Sequence, residues 1–187
     1  QSREQYNQNI LKCKEYIKNG DAFQIVYAQK FSATYDQDLL SAYRYLRTTN
    51  PSQYMVYMHN DDVEIAGSSP ETLLKVVGRK VISMPIAGTR RRGKTLEEDL
   101  ALEQELLADE KETAEHNMLV DLGRNDLGKI SKFGSVAVEK LHSIERYSHV
   151  MHIGSTVRGL IREDKDALDA IEAVLPAGTL SGAPKIR

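Results

Sequence analysis

The segment from Asp109 to Asp126 constrains this chain more than any other part of the sequence, because it combines helical spacing with closely spaced acidic residues. Glu112 and Glu115 are three positions apart, which puts both carboxylates on one helix face, one turn apart. Two like charges repel each other unless a cation lies between them, and Mg²⁺ is a hard ion that prefers such oxygen ligands. On spacing alone, a solvated acidic face is the commoner structure, since Asp and Glu side chains are mostly exposed.

Length and composition indicate an ordinary globular protein with a single domain over residues 1–187. Hydrophobic residues make up 41% and charged residues 28% of the chain, so a core of normal size can form. The formal net charge of −2 argues against a nucleic-acid partner. No apolar run reaches the roughly 18 residues of a membrane-spanning helix, so we expect no membrane partner. The single cysteine, Cys13, excludes an internal disulfide and favours a reducing compartment such as the cytoplasm.

Hydrophobic periodicity and turn residues predict a mixture of helices and short strands. The predicted helices are 3–18, 39–46 and 167–174, together with one long helix that follows a capping box at Thr95, carries both glutamates and ends in a turn over 121–128. The predicted strands are 23–31, 54–58, 63–66, 73–77, 80–86, 136–138 and 147–160. Because the strands come in runs that helices interrupt, the pattern indicates an α+β fold rather than regular βαβ units.

Five further segments have the character of ligand-binding loops, because glycines bound them and each offers one or two polar side chains. They are residues 20–30, 67–71, 85–93, 147–152 and 176–185. The sequence contains no metal-thiolate spacing, no P-loop and no dinucleotide-binding glycine motif. The loops therefore predict a small polar ligand rather than a nucleotide.

The acidic helix and these loops together resemble the chorismate-utilising enzymes, and within them the large subunits of anthranilate synthase. The resemblance runs from about residue 3 to residue 187, with six separated motifs in the family's order. The longest motifs are Pro85-Ile-Ala-Gly-Thr89, Glu115-His-Asn-Met-Leu-Val-Asp-Leu122 and Pro176-Ala-Gly-Thr-Leu-Ser-Gly-Ala-Pro-Lys185. The resemblance implies the family's antiparallel sheets with helices packed outside. It also implies a Mg²⁺-dependent lyase that takes chorismate as its substrate.

The resemblance also implies roles for individual residues. Glu115 matches a direct Mg²⁺ ligand, and Glu112 matches a neighbour that supports the metal directly or through water. Glu71 matches the general acid that protonates the departing C4 hydroxyl, and His152 matches a histidine near the substrate ring. The implied substrate-binding residues are Gly88, Thr89, Gly178 and Thr179. Taken alone, Glu71 is also compatible with a helix start, and His152 with a structural role on a strand.

Two positions distinguish branches of the family. Relatives that add water to chorismate have a lysine base where this chain has Gln24, and ammonia needs no such base. Aminodeoxychorismate synthases typically have a nucleophilic lysine where this chain has Ala87. The pair therefore favours anthranilate synthase over aminodeoxychorismate synthase, which stays as the alternative. Without the resemblance, Gln24 is a polar residue that faces solvent from an alternating strand.

The resemblance implies partners and missing parts as well. Ammonia would come from glutamine through an amidotransferase subunit, and residues 50–55 resemble part of a tryptophan feedback pocket. We expect the chain to be a fragment, because it begins without methionine and stops at Arg187 in the pattern of a new helix. Further ligands would lie beyond Arg187, so we expect these 187 residues alone to be inactive. A non-catalytic interaction fragment is the remaining alternative.

Overall fold

A computed structural model describes residues 1–184 and consists of helices and antiparallel strands, which confirms the α+β prediction. The helices in this range are α1 (Arg3–Lys18), α2 (Leu39–Thr49), α3 (Leu96–Ala108), α4 (Glu110–Gly128) and α5 (Ala167–Val174). The strands are β1 (Gln24–Ile25), β2 (Tyr54–Asn60), β3 (Val63–Ser69), β4 (Thr72–Val77), β5 (Lys80–Met84), β6 (Ile86–Arg91), β7 (Ala137–Arg146), β8 (Val150–Leu160) and β9 (Gly182–Ala183).

The chain divides into two compact units. One unit comprises residues 1–28 and the chain from Thr72 onward, and the other comprises residues 29–71. The second unit holds α2 and the antiparallel pair β2–β3, in which Tyr54 lies opposite Ser69. Its helix begins at Asp38, whose carboxylate accepts a hydrogen bond from the Leu40 N–H. The single-domain organisation stays a prediction.

The first unit is built around β8, which pairs with three other strands. β7 pairs along most of its length, whereas β5 pairs with residues 157–160 and β6 with residues 150–154. β4 extends this sheet beyond β5. β8 is therefore covered on both edges, and six of its eleven residues are buried apolar or small positions, a pattern typical of a central strand.

The core of the first unit forms where α4 packs on this sheet. Val120 and Leu127 of α4 share one buried apolar cluster with Val81 of β5 and Val157 of β8. A second cluster joins Leu106, Met151 and Ile153. Each fully buried side chain of this size contributes about 1.5–3 kcal/mol relative to its exposed state. Burial of its apolar stripe therefore fixes α4 on the sheet.

The prediction of one long helix from Thr95 through Glu115 is wrong. The helix breaks at Asp109, which has an extended conformation (φ −73°, ψ 105°) and serves both as the end of α3 and as the N-cap of α4. The capping box at Thr95 forms only in half. The Thr95 hydroxyl accepts from the Glu98 N–H, but the Glu98 carboxylate accepts from the Lys94 N–H instead of turning back to Thr95.

The predicted turn over 121–128 is also wrong, because α4 remains helical to Gly128. The predicted strand 23–31 shrinks to two residues, because among residues 1–184 it pairs only with the equally short β9. β7 is longer than predicted, because β8 supplies pairing partners along it. The predictions of α1, α2, α5 and the β4–β5 hairpin are confirmed. No helix within residues 1–184 has the length and apolar character needed to cross a membrane.

A buried ion-pair cluster joins the end of β6 to the first turn of α3. Asp99 is only 5% exposed and accepts from Arg92 through both carboxylate oxygens, at 2.8 and 3.0 Å. It also accepts from the Gly93 N–H at 2.8 Å and from Arg146 Nε at 3.3 Å. The Arg92 guanidinium, followed by the Gly93 N–H, holds the pKa of this carboxyl well below its usual range.

Asp99→Asn is expected to destabilise the protein at pH 7 and to make its unfolding free energy depend less on pH in the acid range. A carboxyl with a lowered folded pKa stabilises the native state fully above its unfolded pKa of about 3.9, and this contribution is lost as the pH falls towards the folded pKa. Urea unfolding midpoints between pH 7 and pH 2 test this. The gap between wild type and Asp99→Asn should narrow below pH 4, and a constant gap would contradict it. Asp164→Asn, in an exposed pair with Arg162, is the matched control with a small effect throughout.

Two glycines of this region should respond oppositely to alanine. A Cβ on Gly123 of α4 would lie 3.5 Å from Ser83 Oγ and 3.7 Å from Val157 Cγ2, which are ordinary contacts. Gly123→Ala is therefore expected to stabilise the protein by roughly 0.5–1 kcal/mol through helix propensity. A Cβ on Gly93 would lie 2.2 Å from the Asp99 backbone nitrogen, so Gly93→Ala should cost roughly 1–3 kcal/mol or more. Urea unfolding measures both, and destabilisation by Gly123→Ala would show that α4 and the sheet leave no room there.

Candidate functional site

The first turns of α4 present two carboxylates on one face. Glu112 and Glu115 are partly buried, with 16% and 35% of their side chains exposed. The ammonium group of Lys111 lies between them, 3.1 Å from Glu112 Oε1 and 3.6 Å from Glu115 Oε2. A lysine of the same helix turn therefore supplies positive charge between these two carboxylates, and their role as Mg²⁺ ligands stays a prediction.

The donor set suits a hydrated divalent ion rather than a closed protein cage. The described part of the chain holds no cluster of three or more His, Cys, Asp or Glu side chains that could ligate a metal. Glu112 and Glu115 therefore offer carboxylate oxygens from one side only. Mg²⁺ commonly binds in this way, because it keeps several waters and takes one or two protein carboxylates. The lysine ammonium shows that positive charge is accommodated between these two groups.

Glu115 also lines a cleft of about 480 Å³ on one side of α4. The lining residues are Ile17, Phe23, Gln24, Lys111, Ala114, Glu115 and Met118. Most of this wall is apolar, and the polar groups are concentrated in Gln24, Lys111 and Glu115. The cleft thus has the composition of a small-molecule site, with apolar walls and a few converging polar groups.

Gln24, which lines this cleft, carries a buried and unsatisfied acceptor. Its side-chain Oε1 is buried and has no hydrogen-bond partner within residues 1–184. A buried polar atom without a partner costs about 1–3 kcal/mol, so such atoms usually mark a bound water or ligand. The amide therefore does not face solvent, contrary to the simplest interpretation of the alternating strand.

The β1–β9 pair brings the loop of residues 176–184 to Gln24. Gln24 lies opposite Ala183 in this ladder, and the two segments also line a smaller cavity of about 200 Å³. Thr179 is half-buried in this loop, and a Cβ on Gly178 would lie 3.1 Å from Leu122 Cδ2 of α4. Gly178 thus permits close packing of the loop on the helix. Lys185, the last residue of the motif, lies outside the described residues.

The β6 segment brings Gly88, Thr89 and His152 together. His152 Nδ1 lies 2.7 Å from the Gly88 carbonyl oxygen and 3.2 Å from Thr89 Oγ1. Because a carbonyl only accepts, Nδ1 carries the hydrogen, and Nε2 is then the proton-accepting nitrogen of the neutral ring. The Tyr147 ring packs edge-on against the imidazole, with 5.5 Å between centroids, and holds its orientation.

Gly88 connects this group to the carboxylates. It has a positive φ of 64°, and a Cβ there would lie 3.3 Å from Glu112 Oε2 and 2.9 Å from Leu106 Cδ1. Only glycine satisfies both the backbone conformation and the close approach. The structure therefore places His152 beside Gly88 and Thr89, and Gly88 against Glu112, while Glu115 and Gln24 line the cleft described above.

His116 is a structural histidine rather than a cleft residue. It is fully buried, and its Nε2 lies 2.6 Å from Ser155 Oγ of β8. Burial, followed by the nearby His142, lowers the pKa of His116 to about 4, so the ring is neutral at pH 7. Ser155 Oγ also accepts from the His142 N–H at 3.1 Å. This chain of polar contacts attaches α4 to β7 and β8 immediately behind Glu115.

Glu71 lies in the other compact unit, of which it is the last residue. It is exposed, and its backbone N–H donates to Ser69 Oγ at 3.4 Å. The residue joins β3 to β4 and does not begin a helix, so the helix-start interpretation is wrong. Its convergence with Glu115 and Gln24 on one cleft stays a prediction.

Sequence reasoning missed two residues that matter for this geometry. Lys111 was hidden among the charges of the acidic segment, although its position next to Glu112 and four before Glu115 was a usable signal. Arg90 follows the Gly88–Thr89 pair directly and carried no distinguishing spacing. Its contacts depend on the break between α3 and α4, which the sequence pattern did not predict.

Comparison with known proteins finds relatives along the whole chain. The family of chorismate binding enzymes matches residues 1–187. Anthranilate synthase component 1 from Acetivibrio thermocellus is 57% identical over 186 residues, which are 100% of this chain and 38% of that relative. The chain thus spans well under half the length of this curated relative.

Solved structures give the same relationship. Anthranilate synthase component I from Streptococcus pneumoniae TIGR4 has a TM-score of 0.87 and 45% identity, over 99% of this chain and 40% of that one. A protein from Bacillus anthracis described as a 2,3-dihydroxybenzoate-specific isochorismate synthase has a TM-score of 0.74 and 25% identity, over 98% of this chain and 50% of that one. The similarity is therefore greater to the structure named for anthranilate synthesis.

Proposed function

Because this chain belongs to the family of chorismate binding enzymes, we propose that the protein containing it is the large subunit of an anthranilate synthase. The reaction converts chorismate and ammonia to anthranilate, pyruvate and water by addition followed by elimination. The observation that carries the proposal is that Gln24 and Glu115 line one cleft, with the Gln24 amide oxygen buried and unpaired among the described residues.

Gln24 is the residue that suits an ammonia nucleophile. Its Oε1 accepts a hydrogen bond from an N–H group and so orients ammonia, whose lone pair is available without deprotonation. An amide cannot remove a proton from water near neutral pH, so Gln24 itself supplies no base for hydroxylation. Ile17, Phe23 and Met118 give the cleft a largely apolar wall beside the Gln24 amide.

Glu115 and Glu112 would hold Mg²⁺ on the exposed side of α4. When bound, the ion would neutralise the substrate carboxylate and draw electron density from the ring. The backbone of Gly88 and the Thr89 hydroxyl would border the substrate beside it. Thr179 would donate a hydrogen bond to the substrate, and Gly178 lets its loop pack closely on α4.

Two residues would take part in proton transfer. His152 presents Nε2 as an acceptor while the Gly88 carbonyl fixes the other ring nitrogen, so it can support the departure of the leaving groups. Glu71 would act as the general acid that protonates the departing C4 hydroxyl, since hydroxide leaves poorly without a proton. This role follows from its motif match.

The alternative aminodeoxychorismate synthase lacks a nucleophile here. Ala87 is 8% exposed, lies opposite Ile153 in the β6–β8 ladder and offers only a methyl group where that chemistry needs an amine. We further propose that an amidotransferase subunit supplies ammonia from glutamine, that tryptophan acts as feedback inhibitor, and that the reaction takes place in the cytoplasm. The 187 residues alone would be inactive, because they span 38% of the Acetivibrio relative.

The full-length protein is expected to form anthranilate and equimolar pyruvate from chorismate, ammonia and Mg²⁺, followed by anthranilate fluorescence. Glu115→Gln should lower kcat/KM roughly a hundredfold or more, because a metal-holding charge is lost. Glu110→Gln is the matched control, since Glu110 is an exposed residue in the first turn of the same helix. A different aromatic product, or full activity of Glu115→Gln, would contradict the assignment, and turnover by the 187-residue chain would contradict its proposed inactivity.

Lys111→Met removes the ammonium group that competes with a metal for the two carboxylates. The Mg²⁺ concentration for half-maximal thermal stabilisation should fall roughly two- to tenfold, since each exposed ion pair is worth about 0.2–1 kcal/mol. Melting temperatures of the full-length protein at increasing Mg²⁺ measure this. Lys132→Met is the control, because Lys132 pairs with Glu163 at 2.9 Å instead. A higher Mg²⁺ requirement in Lys111→Met would mean that Glu112 and Glu115 are not the binding site.

A further inference from the structure

Arg90 connects three segments of the candidate site through its guanidinium group. It follows Thr89 on β6, at the point where the β6–β8 register shifts between Ala87 and Arg90. Its Nη1 donates to the Thr89 carbonyl at 3.0 Å, and its Nε donates to Glu105 Oε1 of α3 at 2.7 Å. Its Nη2 donates to Asp109 Oδ2 at 3.0 Å. The planar, rigid guanidinium reaches these three separated acceptors with donors on three different nitrogens.

Asp109 connects Arg90 to the first turn of α4. While Oδ2 accepts from Arg90, Oδ1 accepts from the backbone N–H groups of Lys111 at 3.1 Å and Glu112 at 3.2 Å. The Glu112 N–H and then Arg90 lower the pKa of Asp109, so the carboxylate is charged at neutral pH. The Arg90 guanidinium is thus linked to the backbone of Glu112 through one side chain, that of Asp109.

Because the helix breaks at Asp109, the Arg90–Asp109 contact affects the position of Glu112 in the candidate site. In a continuous helix from Thr95, the preceding turn would supply acceptors for the Lys111 and Glu112 N–H groups, whereas after the break the Asp109 carboxylate supplies them. With the break, Glu112 approaches Gly88 so closely that a Cβ there would lie 3.3 Å from Glu112 Oε2. We infer that Arg90 is a positioning residue, which holds Glu112 in register with the Gly88–Thr89 segment through Asp109.

The neighbouring arginines do not share this role. Arg91 donates to Glu98 Oε1 at 2.5 Å and is 61% exposed, and Arg92 pairs with Asp99 at 2.8 Å. Both partners belong to the first turn of α3. Arg91→Met therefore removes the same charge and the same kind of ion pair from the next position of β6, and leaves the Asp109 cap intact.

The test compares Arg90→Met, Arg90→Lys and Arg91→Met in the full-length protein. The kinetic measurements in this test rest on the proposed function. Arg90→Met should lower kcat/KM roughly 10–100-fold, as is usual when a group that orients a metal ligand is lost. It should also raise the Mg²⁺ concentration for half-maximal activity, with kcat partly recovered at high Mg²⁺. A purely structural loss would instead lower kcat through the folded fraction and leave KM and the Mg²⁺ requirement unchanged.

Hydrogen exchange of the peptide over residues 109–116 supplies a second readout that needs no activity. The Lys111 and Glu112 amides should exchange roughly tenfold faster in Arg90→Met than in Arg91→Met, because their acceptor is no longer held. Arg90→Lys should restore part of the activity and protection. Should Arg90→Met fail to fold, Arg90→Lys and Asp109→Asn carry the test, since Asn keeps the cap acceptor but loses the ion pair.

The outcomes separate the two claims. A wild-type protein that forms no anthranilate, with exchange accelerated only in the Arg90 variants, would overturn the proposed function and support the positioning role. Equal exchange and equal kinetics in Arg90→Met and Arg91→Met would overturn the positioning role. An unchanged Mg²⁺ requirement alongside a proportional fall in kcat would overturn it too.

Discussion

The packing of α4 across β8 is the interaction on which the rest of the structure depends. Leu127 and Val120 lie in one buried apolar cluster with Val157, and His116 contacts Ser155 at 2.6 Å. Burial of this helix face fixes the direction in which the opposite face points. Side chains on a packed helix hold a binding geometry better than side chains on loops. The candidate site therefore takes its rigidity from the core beneath it.

Local sequence signals were sufficient for elements that depend on their own residues. The helix α1 begins where Ser2 caps it and ends at Asn19, and the β4–β5 hairpin turns at Gly78 with a positive φ of 59°. These features are local in the chain, so periodicity and turn chemistry predicted them. The lengths of β1 and β7 were mispredicted because strand length depends on the available partner strands, which sequence periodicity does not contain.

The same distinction applies to the site. Motif resemblance named Gly88, Thr89, His152 and Glu112 among the site residues; in the structure His152 contacts Gly88 and Thr89, Gly88 lies against Glu112, and their roles stay predictions. It did not predict the lysine between the glutamates, nor the arginine that holds the start of α4. The lysine contact follows from local i,i+4 spacing, whereas the Arg90 contact depends on the break at Asp109, where the Arg90 side chain of β6 binds the capping carboxylate. Tertiary context overrode local propensity there.

The cleft-lining face and the core-facing face of α4 are only one residue apart at Glu115 and His116. Glu115 lines the cleft, and the next residue, His116, is fully buried against β8. Consecutive helical side chains point about 100° apart, so the cleft-lining side and the core-facing side of α4 are adjacent. Substitutions on the cleft-lining face and on the core-facing face of α4 are coupled, because both faces share one helix backbone. Their effects should be epistatic, and a core variant acceptable in one relative need not be acceptable in another.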